Sequence, residues 1–163
     1  NATGVLPIGL NSGTRVQDAL THADKEYIFE AKLRNEKPEE EIKEKLNEFK
    51  GVNKQTPPDH SAVKQEERER EVYEIEFLEK QENKILGRVK CESGFYVRVL
   101  IQQLGEKLET EATMEELRRT EQGNFTEKQT NTLQDIVDAY RFYRDDKEEA
   151  DSKKKVENLY ESQ

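Results

Sequence analysis

The sequence predicts an α+β domain, a mixed and mainly antiparallel sheet flanked by helices, and three observations carry that expectation. Period-2 alternation of apolar and polar residues recurs over residues 25–34, 70–79 and 85–92. Apolar residues at helical spacing follow the first of these and again the last. Leu, Ile, Val and Phe supply 36 of the 163 residues, just above the roughly one-fifth needed for a packed core. The chain is 39 % charged, yet 27 basic and 36 acidic residues leave a net charge of only −9. A self-repelling coil would need no such periodicity.

In chain order, residues 4–10 (GVLPIGL) read as a buried apolar strand or loop, and Asn11, Ser12, Gly13 and Thr14 offer turn and cap chemistry. A short helix follows over Arg15–Ala23. Tyr27, Phe29, Ala31 and Leu33 then alternate with Glu26, Ile28, Glu30, Lys32 and Arg34 in a strand with one wet face. Pro38 and three glutamates open a helix whose stripe is Ile42, Leu46 and Phe49, stopped by Gly51. Pro57 and Pro58 break the chain. Tyr73, Ile75 and Phe77 share one face of the next strand, Ile85, Gly87, Val89 and Cys91 one face of its partner, and residues 80–84 form the hairpin connection. Val97, Leu100, Ile101, Leu104 and Leu108 form a helical stripe, a polar loop follows, and Leu133, Ile136, Val137 and Tyr140 form another. Residues 145–155 read as a solvated helix end or a flexible tail.

Composition excludes several classes. One cysteine, Cys91, precludes an internal disulfide framework, and His22 and His60 alone make no zinc site of usual spacing. No stretch reaches the ~18 apolar residues of a membrane helix, and NATGVLPIGL lacks a basic leader region. No nucleophile stands beside a base and no glycine loop is built for phosphate. No metal or organic cofactor is expected. The first residue is Asn1 and the sole methionine is Met114, which suggests an excised piece of a longer protein.

Four stretches carry chemistry together: NATGVLPIGL at 1–10, KEY at 25–27, SGFYVRVL at 93–100 and LRRT at 117–120. In this order and spacing they resemble the TruB and dyskerin-type family of RNA pseudouridine synthases. PPDHSAVK at 57–64, EIEFLE after Arg68, Arg70 and Tyr73, and TLQDIVDAY at 132–140 resemble its archaeal and eukaryotic branch, the catalytic subunit of H/ACA guide-RNA particles. The resemblance implies conversion of uridine to pseudouridine in RNA. An aspartate attacks a flipped-out nucleotide, the base rotates, and carbon replaces nitrogen on the sugar. Such chemistry needs the base out of its stack, on an aromatic platform, beside a carboxylate kept ionised.

The resemblance assigns the catalytic group to Tyr27, Tyr96, Arg98 and Leu117. Tyr27 stacks on the base and accepts a proton, Tyr96 packs in the pocket, Arg98 pairs with the aspartate, and Leu117 walls the site. Lys25, Lys64, Arg118 and Arg119 become RNA contacts, and Thr3 and Gly4 shape the turn presenting the nucleophile. Without the resemblance, Tyr27 merely continues the buried row, Arg98 is an exposed helix arginine, and Arg118 and Arg119 are a solvated pair. The aspartate would lie two residues ahead of Asn1, outside this sequence, so the polypeptide alone is expected to be inactive. Residues 109–120, expected to be the loop that grips RNA, carry Glu111, Thr113 and Glu115 where the family usually has a glycine-rich basic stretch, and the acids repel phosphate.

The expected organisation is a partial catalytic domain over 1–144 and a charged extension over 145–163, with the family's RNA-binding PUA domain absent. Expected partners are rRNA, guide RNA, tRNA as a second substrate class, and small H/ACA proteins, with no membrane. Location would be the cytoplasm in an archaeon and the nucleus or nucleolus in a eukaryote. Rival readings are a non-catalytic paralogue or scaffold that binds protein or RNA, and a stand-alone tRNA enzyme.

Overall fold

The computed structural model describes residues 2–58 and 63–160, with side chains to residue 149. Two compact units result, residues 1–128 and 129–163. In the first, alternation builds the sheet. The chain starts at one edge of the sheet in β1 (Ala2–Gly4) and reaches its centre in β2 (Lys25–Leu33), where Phe29, Ala31 and Leu33 are wholly buried while Lys32 is exposed. A 3-10 turn over Asn11–Val16 and α1 (Gln17–His22) occupy the predicted short-helix region. In α2 (Glu39–Asn47) Pro38 is the N-cap, and Ile42, Leu46 and Phe49 are buried as their spacing requires.

The strands β3 (Gly51–Gln55), β4 (Arg68–Gln81) and β5 (Lys84–Cys91) follow, then α3 (Val97–Lys107), β6 (Ala112–Gln122) and β7 (Phe125–Thr126). The order across the sheet is β1-β6-β2-β5-β4-β3, with β7 beside β6. All pairings are antiparallel except that of β1 with β6. The β4–β5 turn is stitched to the end of β2, since Asn83 donates from Nδ2 to the Leu33 carbonyl at 2.8 Å and accepts the Leu33 N–H on its own carbonyl at 2.8 Å. Gly87 lets the Phe29 ring lie across β5, because a Cβ there would fall 2.3 Å from the ring. Helices α2 and α3 cover this face, burying Leu46, Leu100, Ile101, Leu104 and Leu108 against Phe29, Ile85 and Val89.

The structure departs from the sequence reading at three points. Only Val5 of the 4–10 stretch is buried: Leu6, Ile8 and Leu10 are 67 %, 62 % and 75 % exposed, because Gly9 and Pro7 take the inward side. Residues 51–55 form an edge strand that a single apolar side chain, Val52, could not announce. Residues 109–120, expected as a loop, largely form the paired strand β6. Its alternation is hidden by two bulges, at Glu115 and Thr120, which put Glu115 and Glu116 side by side in solvent and return Leu117 and Arg119 to the inner face. In the second unit one helix, α4 (Leu133–Tyr160), runs through residues 145–155, in keeping with the helix end rather than the flexible tail of the two readings, and is capped where Thr132 and Asp135 exchange hydrogen bonds of 2.6–3.1 Å.

Candidate active site

Three segments meet where the inner face of the sheet leaves the core. β2 brings Tyr27 to the end of its buried row, opposite Val89 of β5 and Arg119 of β6. The next pair along is Phe29 with Leu117. Tyr27 and Leu117 are half-buried and pack against the core cluster that also holds Phe95 and Val97, the residues flanking Tyr96. β2 thus offers an aromatic side chain with an apolar wall on one flank.

Arg119 fastens this corner. Its guanidinium charge acts on the Tyr27 phenol, its Nε donates to the Val5 carbonyl at 2.6 Å, and its carbonyl accepts the Val5 N–H at 2.8 Å. Both backbone groups of buried Val5 therefore end on one residue. Gly4 allows the approach: its φ is +95°, and a Cβ would stand 2.1 Å from the Arg119 carbonyl oxygen. Burial pushes the Tyr27 phenol above its usual pKa, against the pull of the Arg119 charge, so the hydroxyl is protonated at neutral pH.

Lys25 lies at the same end. Its ammonium donates to the carbonyls of Thr21 and Ala23 at 2.9 and 2.7 Å and to Ser93 Oγ at 3.1 Å. All three of its hydrogens are occupied by the end of α1 and the approach to α3, and burial first, then Arg119, lowers its pKa. Beneath it, burial pushes the Cys91 thiol up to about 12.

The N-terminus of α3 holds the other predicted pair. Gly94, at φ +83°, turns the chain beneath the Arg70 guanidinium, and Tyr96 follows as N-cap. Tyr96 has no side-chain cap. Instead the 3 % exposed side chain of Gln55 accepts the Tyr96 N–H at 2.9 Å and donates to the Tyr96 carbonyl at 3.2 Å. Arg98 is exposed in the first turn and makes no ion pair among the described residues.

The structure therefore gathers Tyr27, Lys25, Leu117 and Arg119, and sets Tyr96 and Arg98 on the helix packed against β6 and β2. It divides the adjacent arginines: Arg119 faces Tyr27, whereas Arg118 pairs with Ile28 and Thr3 on the opposite face and bonds Glu127. Lys64 is exposed in the connection from β3 to β4. Residues 59–62 of its PPDHSAVK motif lie outside the described residues. Sequence reasoning missed Val5, Ser93 and Gln55, whose roles depend on backbone groups that no residue pattern displays.

Profiles of known families match this chain in two adjoining parts. The TruB family pseudouridylate synthase N-terminal domain matches residues 34–97, and the tRNA pseudouridylate synthase B C-terminal domain matches 98–159. A protein of Methanothermobacter thermautotrophicus named probable tRNA pseudouridine synthase B is 45 % identical over 147 residues, 90 % of this chain and 45 % of that one. Its namesake in Pyrococcus abyssi is 46 % identical over 145 residues, 88 % of this chain and 43 % of that one. Among solved structures, a chain in the crystal structure of a Cbf5-Nop10-Gar1 complex superposes with a TM-score of 0.85 at 44 % identity, covering 89 % of this chain and 44 % of that one. A chain in an H/ACA RNP bound to a substrate RNA containing 2'-deoxyuridine gives 0.79 at 40 % identity, covering 89 % and 43 %. This chain thus spans less than half the length of the curated relatives it matches.

Proposed function

We propose, since this chain belongs to the TruB family of pseudouridylate synthases, that it forms the site-bearing half of an enzyme that isomerises uridine to pseudouridine within RNA. The observation that carries this reading is the Tyr27–Arg119 corner at the open end of the buried row. A flipped uracil stacks on Tyr27 with Leu117 beside it. The nucleophile is an aspartate placed by the family resemblance just ahead of Asn1, and β1 lays the start of the chain along Leu117–Arg119. Arg98, on the first turn of α3 with no partner among the described residues, is available to that carboxylate and would hold it ionised. The carboxylate displaces N1 of the base and bonds to C1′, uracil turns, and C5 attacks C1′, which releases the carboxylate. The phenol of Tyr27, protonated at neutral pH, then stands at the base to relay the proton leaving C5, taking it up as it passes its own proton on.

The preferred setting is an H/ACA particle acting on rRNA under a guide RNA with small protein partners, and it rests on the likeness to chains in the Cbf5-Nop10-Gar1 and H/ACA RNP structures. The net charge of −9 fits a body that relies on partners to hold RNA. A stand-alone tRNA activity is the second reading, favoured by the names of the archaeal relatives. The archaeal sources point to the cytoplasm. Lys64, Arg118 and Arg119 remain the proposed RNA contacts, with Arg119 also serving the protein. Residues 1–144 are the proposed catalytic part and 145–163 a charged extension.

Tritium release from RNA labelled at uridine C5 tests this. The natural full-length protein is assayed with guide RNA and partner proteins, and separately with tRNA alone. Release only in the first supports the guided enzyme, release from tRNA alone supports the second reading, and release from neither leaves the non-catalytic scaffold.

A further inference from the structure

We infer that Gln55 is a positioning residue for the reaction, an amide clamp that sets the direction of α3 and with it the placement of Tyr96 and Arg98. The inference rests on the function proposed above. Gln55 ends β3, immediately before the Pro57–Pro58 break, and its carboxamide is 3 % exposed. A buried glutamine must spend its donors and acceptor or destabilise the fold. This one spends them on both backbone groups of a single residue 41 positions away, Tyr96.

That residue is where a helix needs help. Tyr96 is the N-cap of α3, and its own N–H has no partner within the helix. Phe95 at 7 % exposure and Val97 at 3 % keep water from the backbone on either side. The Tyr96 carbonyl already accepts the Leu100 N–H at 3.1 Å and takes Gln55 Nε2 as a second donor. One hydrogen bond would hold one peptide and leave the next free to turn. Two in reciprocal array hold both peptides that flank the Tyr96 Cα, as a hydrogen-bonded residue pair does in an antiparallel sheet. The Tyr96 side chain leaves from that Cα, and Arg98 stands in the turn that it starts.

A second glutamine provides the control. Gln103 Nε2 donates to the Lys54 carbonyl at 3.0 Å, tying the middle of α3 to the same strand without touching the N-cap. β3 also keeps its five-residue ladder with β4, so loss of the Gln55 clamp leaves the strand anchored. General loosening of β3 from α3 and misdirection of the helix N-terminus can thus be separated.

The test uses the natural full-length protein with its RNA substrate. Gln55→Ala is expected to lower kcat by about 10- to 100-fold, the scale of a small misplacement of reacting groups, with KM within about twofold because no RNA contact is lost. Gln103→Ala is expected to lower the melting temperature and leave kcat near wild type. Gln55→Glu keeps the shape but sets a carboxylate oxygen against the Tyr96 carbonyl, and protonation restores the missing donor. Its kcat should recover as pH falls, an ionisation absent from the wild-type profile. Equal loss of kcat in Gln55→Ala and Gln103→Ala, or wild-type kcat in Gln55→Ala, overturns the inference. Hydrogen exchange at the Tyr96 amide reads the clamp without activity: unchanged protection in Gln55→Ala overturns it, whereas a wild-type protein that makes no pseudouridine overturns the function and leaves the exchange result standing.

Discussion

The two faces of the sheet are built from the same strands by the same alternation, yet they are held in opposite ways. On the inner face Phe29, Ala31, Leu33, Ile85 and Val89 are wholly buried beneath two helices. On the outer face the intervening residues form a lattice of charge. Lys84 bridges Glu30 and Glu115 at 2.7 Å each, Arg88 bridges Glu76 at 2.8 Å and Glu26 at 3.3 Å, and Lys90 meets Glu121 at 3.3 Å. A chain that is 39 % charged can thus fold: apolar residues are concentrated in one layer, and the charges satisfy one another across strands. The candidate site belongs to the inner face, at the end where Leu33, Ala31 and Phe29 give way to the half-buried Tyr27.

The sharpest way to break the comparison is Phe29→Ala. The ring fills the space above Gly87, and its removal should cost about 3–5 kcal/mol through lost burial and the cavity left behind, read as the shift in a urea unfolding curve. Gly87→Ala should also destabilise, since its new Cβ meets the Phe29 ring at 2.3 Å. The double variant should lose less than the two single losses together, because each change removes the cause of the other's strain. Additive losses would show that the ring and the glycine are not packed as described.

At the open end of the same row, Tyr27→Phe keeps the aromatic face and removes the hydroxyl beside Arg119. With the base still stacked, kcat in the full-length enzyme should fall by about 10²- to 10⁴-fold, the usual yield of a positioned acid or base, while the melting temperature moves little. A variant with full activity would reduce Tyr27 to the strand residue that periodicity alone makes it.

How much of this was legible follows the same division. The inner rows of β2 and β5 and the stripes Ile42–Leu46–Phe49 and Leu100–Ile101–Leu104 were readable because burial imposes a period on residue type. β6 was not, because the bulges at Glu115 and Thr120 shift its phase twice within eleven residues. β3 carries one apolar side chain in five. Motif resemblance pointed to Tyr27, Tyr96, Arg98 and Leu117, but not to Gln55 or to Val5, whose parts are played through main-chain hydrogen bonds. The opposed directions of Arg118 and Arg119 were available only once the register of β6 against β2 was known.

Alkaline pH separates the faces next. Burial on the inner face raises the Cys91 thiol to about 12 from an ordinary 9.0. A folded pKa above the unfolded one gives stability that is complete below the unfolded value and is withdrawn as pH rises toward the folded value. Stability should therefore decline from about pH 9, at no more than about 1.4 kcal/mol per pH unit for this one group. In Cys91→Ala the decline should begin nearer pH 10, where the raised Tyr27 phenol starts to contribute. Urea midpoints across this range decide it. Coincident alkaline limbs for wild type and variant would remove Cys91 from the account.

The smallest effect should come from the lattice, and it sharpens the comparison by its dependence on salt. Lys84 holds Glu30 and Glu115 together, and its pKa is raised first by the bond to Glu115 and then by that to Glu30. Lys84→Met leaves the two carboxylates facing one another across β2 and β6 with nothing between them. All three side chains meet solvent, so the loss should be well below that of Phe29→Ala and largest at low ionic strength. At about 1 M salt, where screening acts over about 3 Å, the variant and wild type should unfold together. Phe29→Ala should show no such convergence, because burial of a ring is not screened by ions. If Lys84→Met instead costs as much as the core substitution and keeps that cost at high salt, the outer face is not a screened lattice but a second packed layer. The rule that one face packs while the other balances charge would then fail for this sheet.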